Sequence, residues 1–401
     1  MADNKDKKVL NVPALRFPGF SGEWHKHSLG EIGETIIGLT YKPSDVVADN
    51  GIIVLRSSNI KNGVIDYSDL VRVNKHVKDR IITKENDILV CSRNGSQRLI
   101  GKNAIIKRED INNTFGAFMM VYRSNDNPFI LPLLSTRRYI SQVGENLGAR
   151  INQITTSDFN GFEFYFPENH VERAKIAELF RLLDERIATQ NKIIEDLRLL
   201  RDAIMVEHYR KCNKSKLCIY DIGEPFNVMN LSKDDLTKDG SPCIIYGELF
   251  TTYGCVIENV VSHTTKSPNS TLSTKGDLLF PASTTVDALS LIAPSSINED
   301  GIILGGDMFG IHVNEQYNSN YLSYYFNIIG KKNLAKYAKG STIIHLHYAD
   351  IQKAKITLPN KNEQEAVANL LLKVEHKLNI EQKMLINYLN TKNFLLWQMF
   401  I

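Results

Sequence analysis

The apolar positions of this chain follow one pattern twice. Residues 148–167 run from a glycine through a polar stretch and an aspartate into an alternating apolar segment that ends at a proline, and residues 340–359 do the same. An apolar period of two predicts a strand with one buried face. The repeated order predicts two related β-rich modules in one chain. The alternating residues are Phe162, Phe164 and Phe166 before Pro167, and Ala354, Ile356 and Leu358 before Pro359.

After each of these prolines the apolar spacing changes to three and four residues. Residues 171–210 and 363–401 contain no proline or glycine, so each predicts a long helix with the narrow apolar stripe that is typical of a coiled coil. Because one helix cannot bury such a stripe alone, the two helices are predicted to pack against each other. The predicted seam residues are Ile176, Leu179, Leu183, Ile193, Leu197, Leu200 and Ile204 in the first helix, and Val367, Leu370, Val374, Met384, Tyr388 and Leu395 in the second.

These patterns divide the chain into four segments. A β-rich module (14–167) precedes a long helix (168–212), and a second module (213–359) precedes a second long helix (360–401). The predicted fold class is therefore α+β, with the two modules in a pseudo-twofold repeat and the two helices paired. The frame of the repeat is shared while the interiors of the modules differ in sequence, which suggests that the two units recognise different things.

Basic residues concentrate in part of the first module. Residues 72–108 contain ten Lys or Arg and three acidic residues. Within this stretch, a glycine-containing loop carries Arg, Asn and Gln side chains, which have the donor and acceptor geometry to contact guanine or adenine edges. The flanking Lys and Arg suit phosphate groups. The candidate DNA-binding residues are Arg93, Asn94, Gln97 and Arg98, followed by Lys102.

A further basic patch lies at the start of the repeated stretch in each module. The nucleic-acid interpretation competes with a simpler one, in which these residues are solvated surface, as most charge runs are. The candidates are Arg150, Asn152 and Gln153 in the first copy, and Lys339, Thr342, His345 and His347 in the second.

Composition narrows the class of protein. A chain of 401 residues with 43% hydrophobic and 23% charged residues is typical of a soluble globular protein with two or three domains. No apolar run approaches the ~18 residues that a membrane span needs. The five cysteines have no paired CxxC spacing, which favours reduced thiols and a cytoplasmic location.

The sequence contains no recognisable catalytic or metal-binding motif. It has no phosphate-binding GxxxxGK[ST] loop, no GxGxxG turn and no HExxH pair. His345 and His347 are spaced as two metal ligands on a strand could be, but a polar strand surface is the favoured interpretation. We therefore predict no catalytic residue and no bound metal.

The whole chain resembles the specificity subunit of type I restriction–modification systems. The stretches that carry the resemblance are "LRFPGFSGEW" (Leu15–Trp24), "LGEI" (Leu29–Ile32), the repeated segment that closes on a proline, and "ERAKIAELF" (Glu172–Phe180) at the start of the first long helix. The resemblance implies that each β-rich module is a target recognition domain for one half of a bipartite site in double-stranded DNA. It also implies that the helices form an antiparallel coiled coil between the modules.

The same resemblance implies a division of labour with other proteins. Two methyltransferase subunits would dock on the helices, and restriction subunits would supply cleavage, so S-adenosylmethionine, ATP and Mg are expected on those partners and not on this chain. The loop Arg93–Arg98 matches the family's base-contacting loop. Its counterpart in the second module has no Arg or Lys and offers Ser283, Thr284 and Thr285 instead.

Two other functions remain open at this point. A coiled-coil scaffold whose β-rich modules bind protein or glycan would have the same architecture but no salt-dependent affinity for DNA. A nuclease built around an unrecognised acidic cluster would cut DNA by itself with a divalent metal.

Overall fold

The computed structural model of the chain describes residues 11–147, 152–228, 231–265 and 270–401. The candidate Arg150 lies outside the described residues. The chain forms two compact units. The first comprises Met1–Gln190 and Met384–Ile401, and the second comprises Asn191–Lys383. Each unit therefore contains one β-rich module and a part of both long helices.

The first unit is built on two four-stranded sheets with the strand orders β10-β4-β7-β3 and β2-β11-β8-β9, and on two-stranded pairs β1-β12 and β5-β6. Its strands are β1 (His25–Ser28), β2 (Glu34–Ile37), β3 (Val46–Val47), β4 (Ile52–Leu55), β5 (Ile60–Lys61), β6 (Val64–Ile65), β7 (Arg72–Val73), β8 (Ile88–Cys91), β9 (Asn103–Ile105), β10 (Thr114–Phe115), β11 (Met119–Arg123) and β12 (Glu163–Phe166). Its helices are α1 (Leu29–Ile32), α2 (Asn127–Leu133), α3 (Arg137–Asn146), α4 (Thr156–Asn160) and the first part of α5 (His170–Lys211).

Strands β8 and β11 lie at the centre of the first unit. All four residues of β8 are buried, which explains why it is a continuous apolar run and not an alternating one. The two strands pair antiparallel, with Met119 opposite Cys91 and Tyr122 opposite Ile88. Burial raises the pKa of the Cys91 thiol to about 11, so this cysteine is an inert core residue.

An aromatic cluster joins the module of the first unit to its helices. The ring of Phe129 lies 6.2 Å from Trp24 and 5.8 Å from Phe400, which is contributed by the C-terminal end of the chain. Phe164 and Phe166 of β12 are buried, and the two residues that alternate with them are partly exposed, so the predicted half-buried strand is confirmed.

The second unit contains two five-stranded sheets with the orders β14-β24-β20-β22-β17 and β15-β18-β16-β23-β19, and the pairs β13-β26 and β21-β25. Its strands are β13 (Ser215–Cys218), β14 (Gly223–Asn227), β15 (Leu236–Thr237), β16 (Ser241–Ile245), β17 (Val256–Ile257), β18 (Ser262–Thr264), β19 (Thr271–Leu272), β20 (Asp277–Pro281), β21 (Ser283–Thr284), β22 (Ser295–Ile297), β23 (Ile303–Gly305), β24 (Met308–Val313), β25 (Ile344–His345) and β26 (Lys355–Leu358). Its helices are α6 (Glu248–Thr251), α7 (Ala288–Leu291), α8 (Ser319–Ile328), α9 (Lys331–Ala335), α10 (Tyr348–Ile351) and parts of α5 and α11 (Lys361–Met399).

Equivalent strands pair in the same way in both units, so the repeat seen in the sequence is a repeat of structure. The strand before the first proline, β12, pairs antiparallel with β1, and β26 before the second proline pairs antiparallel with β13. The central pair β8-β11 corresponds to β20-β24. The predicted α+β class with two β-rich modules, each followed by a long helix, is confirmed.

The two long helices run antiparallel within each unit. In the first unit, Arg186 of α5 donates to the Tyr388 hydroxyl at 3.1 Å, and Asp184 pairs with Lys392, so rising numbers in α5 meet falling numbers in α11. In the second unit, Arg201 of α5 pairs with Glu375 of α11 at 3.3 Å. None of the helices among the described residues combines the length and the apolar character that crossing a bilayer requires.

The seam of the helix pair differs from the predicted one at three positions. Ile193, Leu200 and Leu370 are 37%, 49% and 47% exposed. The sequence prediction followed apolar residues alone, whereas the buried faces of the helices also include polar residues. Ile194 and Leu371 are buried in place of their neighbours Ile193 and Leu370. The buried positions of the helices include Gln190, Ile194 and Met205 of α5, and Gln364, Leu371, Glu375 and Leu378 of α11. Of these, Gln364 bonds to the module, through the Asn318 N–H and the Pro359 carbonyl.

A buried carboxylate recurs at the same place in both units, at the start of the central strand pair. In the first unit Asp87 accepts two bonds from Arg123, at 2.8 and 2.6 Å. In the second unit Asp277 contacts the His312 ring at 2.6 Å, and burial raises the pKa of Asp277. Each carboxylate also accepts a bond from a backbone N–H three residues earlier in the chain, at 2.8 Å. The first unit thus holds its buried charge with a permanent cation.

The Arg123→Met substitution is expected to destabilise the chain by roughly 3 kcal/mol, because it leaves the Asp87 carboxylate buried without its partner. The measurement is the free energy of unfolding in urea, monitored by circular dichroism. The control is Arg80→Met, which removes an exposed pair with Glu34 and should cost less than ~1 kcal/mol. Equal losses in the two variants would contradict a structural role for the buried pair.

Candidate nucleic-acid interface

Three segments meet where the first unit's central strand β8 ends. The backbone N–H groups of Ser92 and Arg93 both donate to the carbonyl of Phe118 at 3.0 Å. The other side of the same strand end is held by an isolated bridge between Arg93 and Gln153, and by Ile154 donating to the Ser92 carbonyl at 2.9 Å. We call residues 92–98, 117–118 and 152–153 the first loop site. Two of the predicted DNA-binding segments therefore lie side by side.

Arg93 is the charged side chain at the centre of the first loop site. Its guanidinium carbon lies 5.1 Å from the centroid of the Phe118 ring, and Phe118 is 58% exposed. No hydrogen bond or ion pair to another described residue involves the Arg93 guanidinium. Stacking on the ring holds the guanidinium in place while its five donors stay available to a ligand.

The two asparagines of the first loop site shape its backbone. Asn94 donates to the Ser57 hydroxyl at 2.9 Å and accepts a bond from the Ser96 N–H at 2.9 Å. Asn152 donates to the carbonyl of Gly95 at 3.0 Å. One amide hydrogen of each side chain is therefore used inside the protein, which makes these residues positioning groups for the loop as well as candidate contacts.

The remaining candidates of the first unit differ in exposure. Gln97 and Arg98 are exposed in a short 3-10 turn at the tip of the loop. Lys102 is half-buried behind the loop, where its carbonyl accepts a bond from the Cys91 N–H. Arg98 is thus the second exposed basic side chain of the loop, whereas Lys102 is less exposed.

A cleft of about 590 Å³ opens beside the first loop site and contains residues that the sequence did not single out. Tyr41, Arg56 and Phe118 line it together with Arg93 and Asn94. Arg56 pairs with Asp69 at 2.8 Å. The sequence did not single out Phe118, because this residue belongs to an apolar run that otherwise forms a buried strand.

The second unit builds the same arrangement from different side chains. Ser283 pairs with His345 across strands β21 and β25, as Arg93 pairs with Gln153. The N–H of Ala282 donates to the carbonyl of Asp307 at 2.8 Å, and the N–H of Leu346 donates to the Ala282 carbonyl at 2.9 Å. We call residues 282–287, 306–307 and 342–347 the second loop site.

The candidate cation next to the second loop site is already paired. Lys339 forms an ion pair with Asp350, and its backbone exchanges hydrogen bonds with His345 at 2.9 and 2.7 Å. The rings of His345 and His347 are nearly parallel, with centroids 6.1 Å apart. The second loop site therefore presents imidazoles, whereas the first presents guanidinium groups.

The hydroxyl candidates of the second loop site are not equally accessible. Ser283 is buried, and the Thr284 hydroxyl accepts a bond from the Val286 N–H at 3.3 Å. Thr285 and Thr342 are exposed. Among residues with described positions, no three His, Cys, Asp or Glu side chains come together as a potential metal site.

Comparison with known proteins gives the family. The family model of the type I restriction modification DNA specificity domain matches the chain twice, at residues 21–199 and 216–390. The chain is 24% identical over 394 residues to the putative type I restriction enzyme MjaX specificity subunit of Methanocaldococcus jannaschii, covering 90% of this chain and 89% of that protein. It is 27% identical over 193 residues to the EcoKI specificity subunit of Escherichia coli, covering 45% of this chain. That match spans 41% of the EcoKI subunit's length.

Solved structures share the fold. The S subunit of a type I restriction–modification system from M. genitalium superposes with a TM-score of 0.65 at 16% identity, covering 97% of this chain and 99% of that chain. A chain from a study of complex assembly and conformational transition of the type I R-M system superposes with a TM-score of 0.50 at 14% identity, covering 95% and 97%. With both modules matched by the family model, this chain belongs to the family of type I restriction–modification DNA specificity subunits.

Proposed function

We propose that the chain is the non-catalytic subunit that recognises a bipartite DNA target, with one half-site bound by each unit, and that it docks methyltransferase and restriction subunits. The observation that carries the proposal is the pair of loop sites. The same backbone arrangement is built twice and carries different side chains. Two sites of one geometry and two chemistries suit two different short base sequences.

The chemistry of the first loop site supports contact with a base edge. An arginine whose donors are unoccupied suits the O6 and N7 acceptors of guanine in the major groove. Phe118, stacked beneath Arg93, offers an apolar surface next to it. Arg98 at the exposed tip suits a phosphate, which would set the register of the protein on the duplex.

The helices support the docking of partner proteins. Large apolar side chains remain exposed on them in both units, which is unusual for a surface that only water covers. Leu199 is an example in the second unit and Trp397 in the first. In this proposal the methyltransferase subunits cover these side chains, and S-adenosylmethionine, ATP and Mg are bound by the partner subunits.

The Arg93→Ala substitution is expected to weaken binding to the specific target by ~1–3 kcal/mol and to relax base preference in one half-site only, because it removes a bidentate base contact. The measurement is competition binding against a set of single-base variants of the target. Arg98→Ala should instead weaken binding to all duplexes alike and lower the salt dependence, as loss of a phosphate contact does.

The matched control for both variants is Arg181→Ala. Arg181 is an exposed helical arginine of the same unit, paired with Glu178 and Glu185. The Arg181→Ala variant should bind specific and non-specific DNA as tightly as the unchanged chain does. A uniform loss in Arg93→Ala would assign Arg93 to phosphate instead, and no effect of salt on DNA affinity would favour a protein- or glycan-binding scaffold.

Replacing residues 14–165 with the equivalent segment of a related specificity subunit should change one half of the recognised sequence and leave the other half unchanged. The reason is that the first unit folds around its own core and holds its own loop site. Sequencing of the methylated sites before and after the exchange provides the measurement.

The reciprocal exchange, of residues 213–359, is the control and should change the opposite half. If either exchange altered both halves, or neither half, independent recognition by the two units would be wrong.

A further inference from the structure

The two loop sites differ in charge around one equivalent position. The first backbone N–H after the central strand donates to the carbonyl of Phe118 in the first unit and to the carbonyl of Asp307 in the second. Phe118 supports the guanidinium of Arg93, whereas Asp307 places a carboxylate beside His345. The first site thus offers hydrogen-bond donors and the second offers a hydrogen-bond acceptor at the corresponding point.

The Asp307 carboxylate makes one long contact with an ionisable side chain among the described residues. Its side chain is 45% exposed, and the Nδ1 atom of His345 lies 4.0 Å away, beyond hydrogen-bond distance. Within the described part of the chain, no hydrogen bond to this carboxylate is formed. Both lone-pair-bearing oxygens are therefore open to a ligand.

The backbone that carries this carboxylate is held by hydrogen bonds and by strand pairing. Ala282 donates to the Asp307 carbonyl at 2.8 Å, and Gly306 beside it has the positive φ of +90° that favours glycine. His345 is held on the other side by its strand pairing with Ser283. The carboxylate and the imidazole are thus carried side by side on hydrogen-bonded backbone.

We propose that Asp307 is a specificity-determining residue of the second half-site and accepts a hydrogen bond from the N4 amino group of a cytosine in the major groove. This inference rests on the proposed function of DNA recognition. A carboxylate repels phosphate, so at a DNA interface an unpaired one suits a position that faces a hydrogen-bond donor on a base edge. Cytosine presents its amino donor to the major groove without the neighbouring N7 acceptor that adenine places beside its own amino group.

The two units would contact different bases of a G·C pair. Arg93 suits the two acceptors of guanine, and Asp307 suits the donor of cytosine. The two half-sites therefore differ in the kind of hydrogen bond that the protein makes. Each half-site includes at least one G·C pair, contacted at its guanine in the first half-site and at its cytosine in the second.

The test uses the full chain in complex with the methyltransferase subunits of its own system, and duplexes in which the second half-site is varied one base pair at a time. Asp307→Asn should lower affinity for the original target by roughly 5- to 150-fold and shift the preferred base at one position from cytosine to adenine, since an amide suits the adenine edge. Asp307→Ala should lose the preference at that position without gaining another. Preference in the first half-site should not change in either variant.

The control is Glu315→Gln, which removes one negative charge from the same unit. Glu315 is exposed and lies just beyond the far end of β24, the strand that Asp307 precedes. This variant should match the unchanged complex at every base pair.

Two results would overturn the inference, and they differ in what else they affect. If both Asp307 variants keep the original base preference, Asp307 does not select a base and the proposed function stands; a uniform gain in affinity for every duplex would show that Asp307 only repels phosphate. If the unchanged complex shows no base preference at all, the proposed function fails together with the inference.

Discussion

The structure depends on a set of backbone hydrogen bonds at the end of each central strand. In the first unit these bonds join Ser92 to Phe118 and Ile154 to Ser92, and in the second unit they join Ala282 to Asp307 and Leu346 to Ala282. Backbone groups form these bonds whatever the side chains are, so the geometry of the loop site survives while its chemistry changes. Because the backbone geometry does not depend on the side chains, one fold presents guanidinium groups in one copy and a carboxylate with imidazoles in the other.

The same division is seen in the interior. A buried carboxylate at the start of the central pair is kept in both units, but its partner is Arg123 in the first and His312 in the second. Along the helices, polar residues such as Gln190 and Glu375 are buried in the seam. Buried polar groups must find partners, and this requirement restricts which register of the helix pair is acceptable. The apolar stripe alone does not impose that restriction.

The sequence was sufficient for the repeat, the strand before each proline and the two long helices, because apolar periods of two and of three to four determine these elements locally. It was not sufficient for the seam, where Ile193, Leu200 and Leu370 are exposed, since burial there depends on contacts between segments that are distant in the sequence. The loop of residues 93–98 was found from its residue types. Phe118 and Asp307 were not, because their importance comes from which strand end lies next to them, and no sequence spacing reveals that contact.

The central claim is that two sites of one geometry each recognise their own half of a DNA target while partner subunits carry out the reaction. The most direct measurement is genome-wide sequencing of methylated adenines in cells that express this chain together with its methyltransferase subunits. The account predicts one motif made of two specified blocks of different sequence, separated by a stretch of fixed length in which any base is accepted. A single uninterrupted block, or methylation without a shared motif, would contradict it.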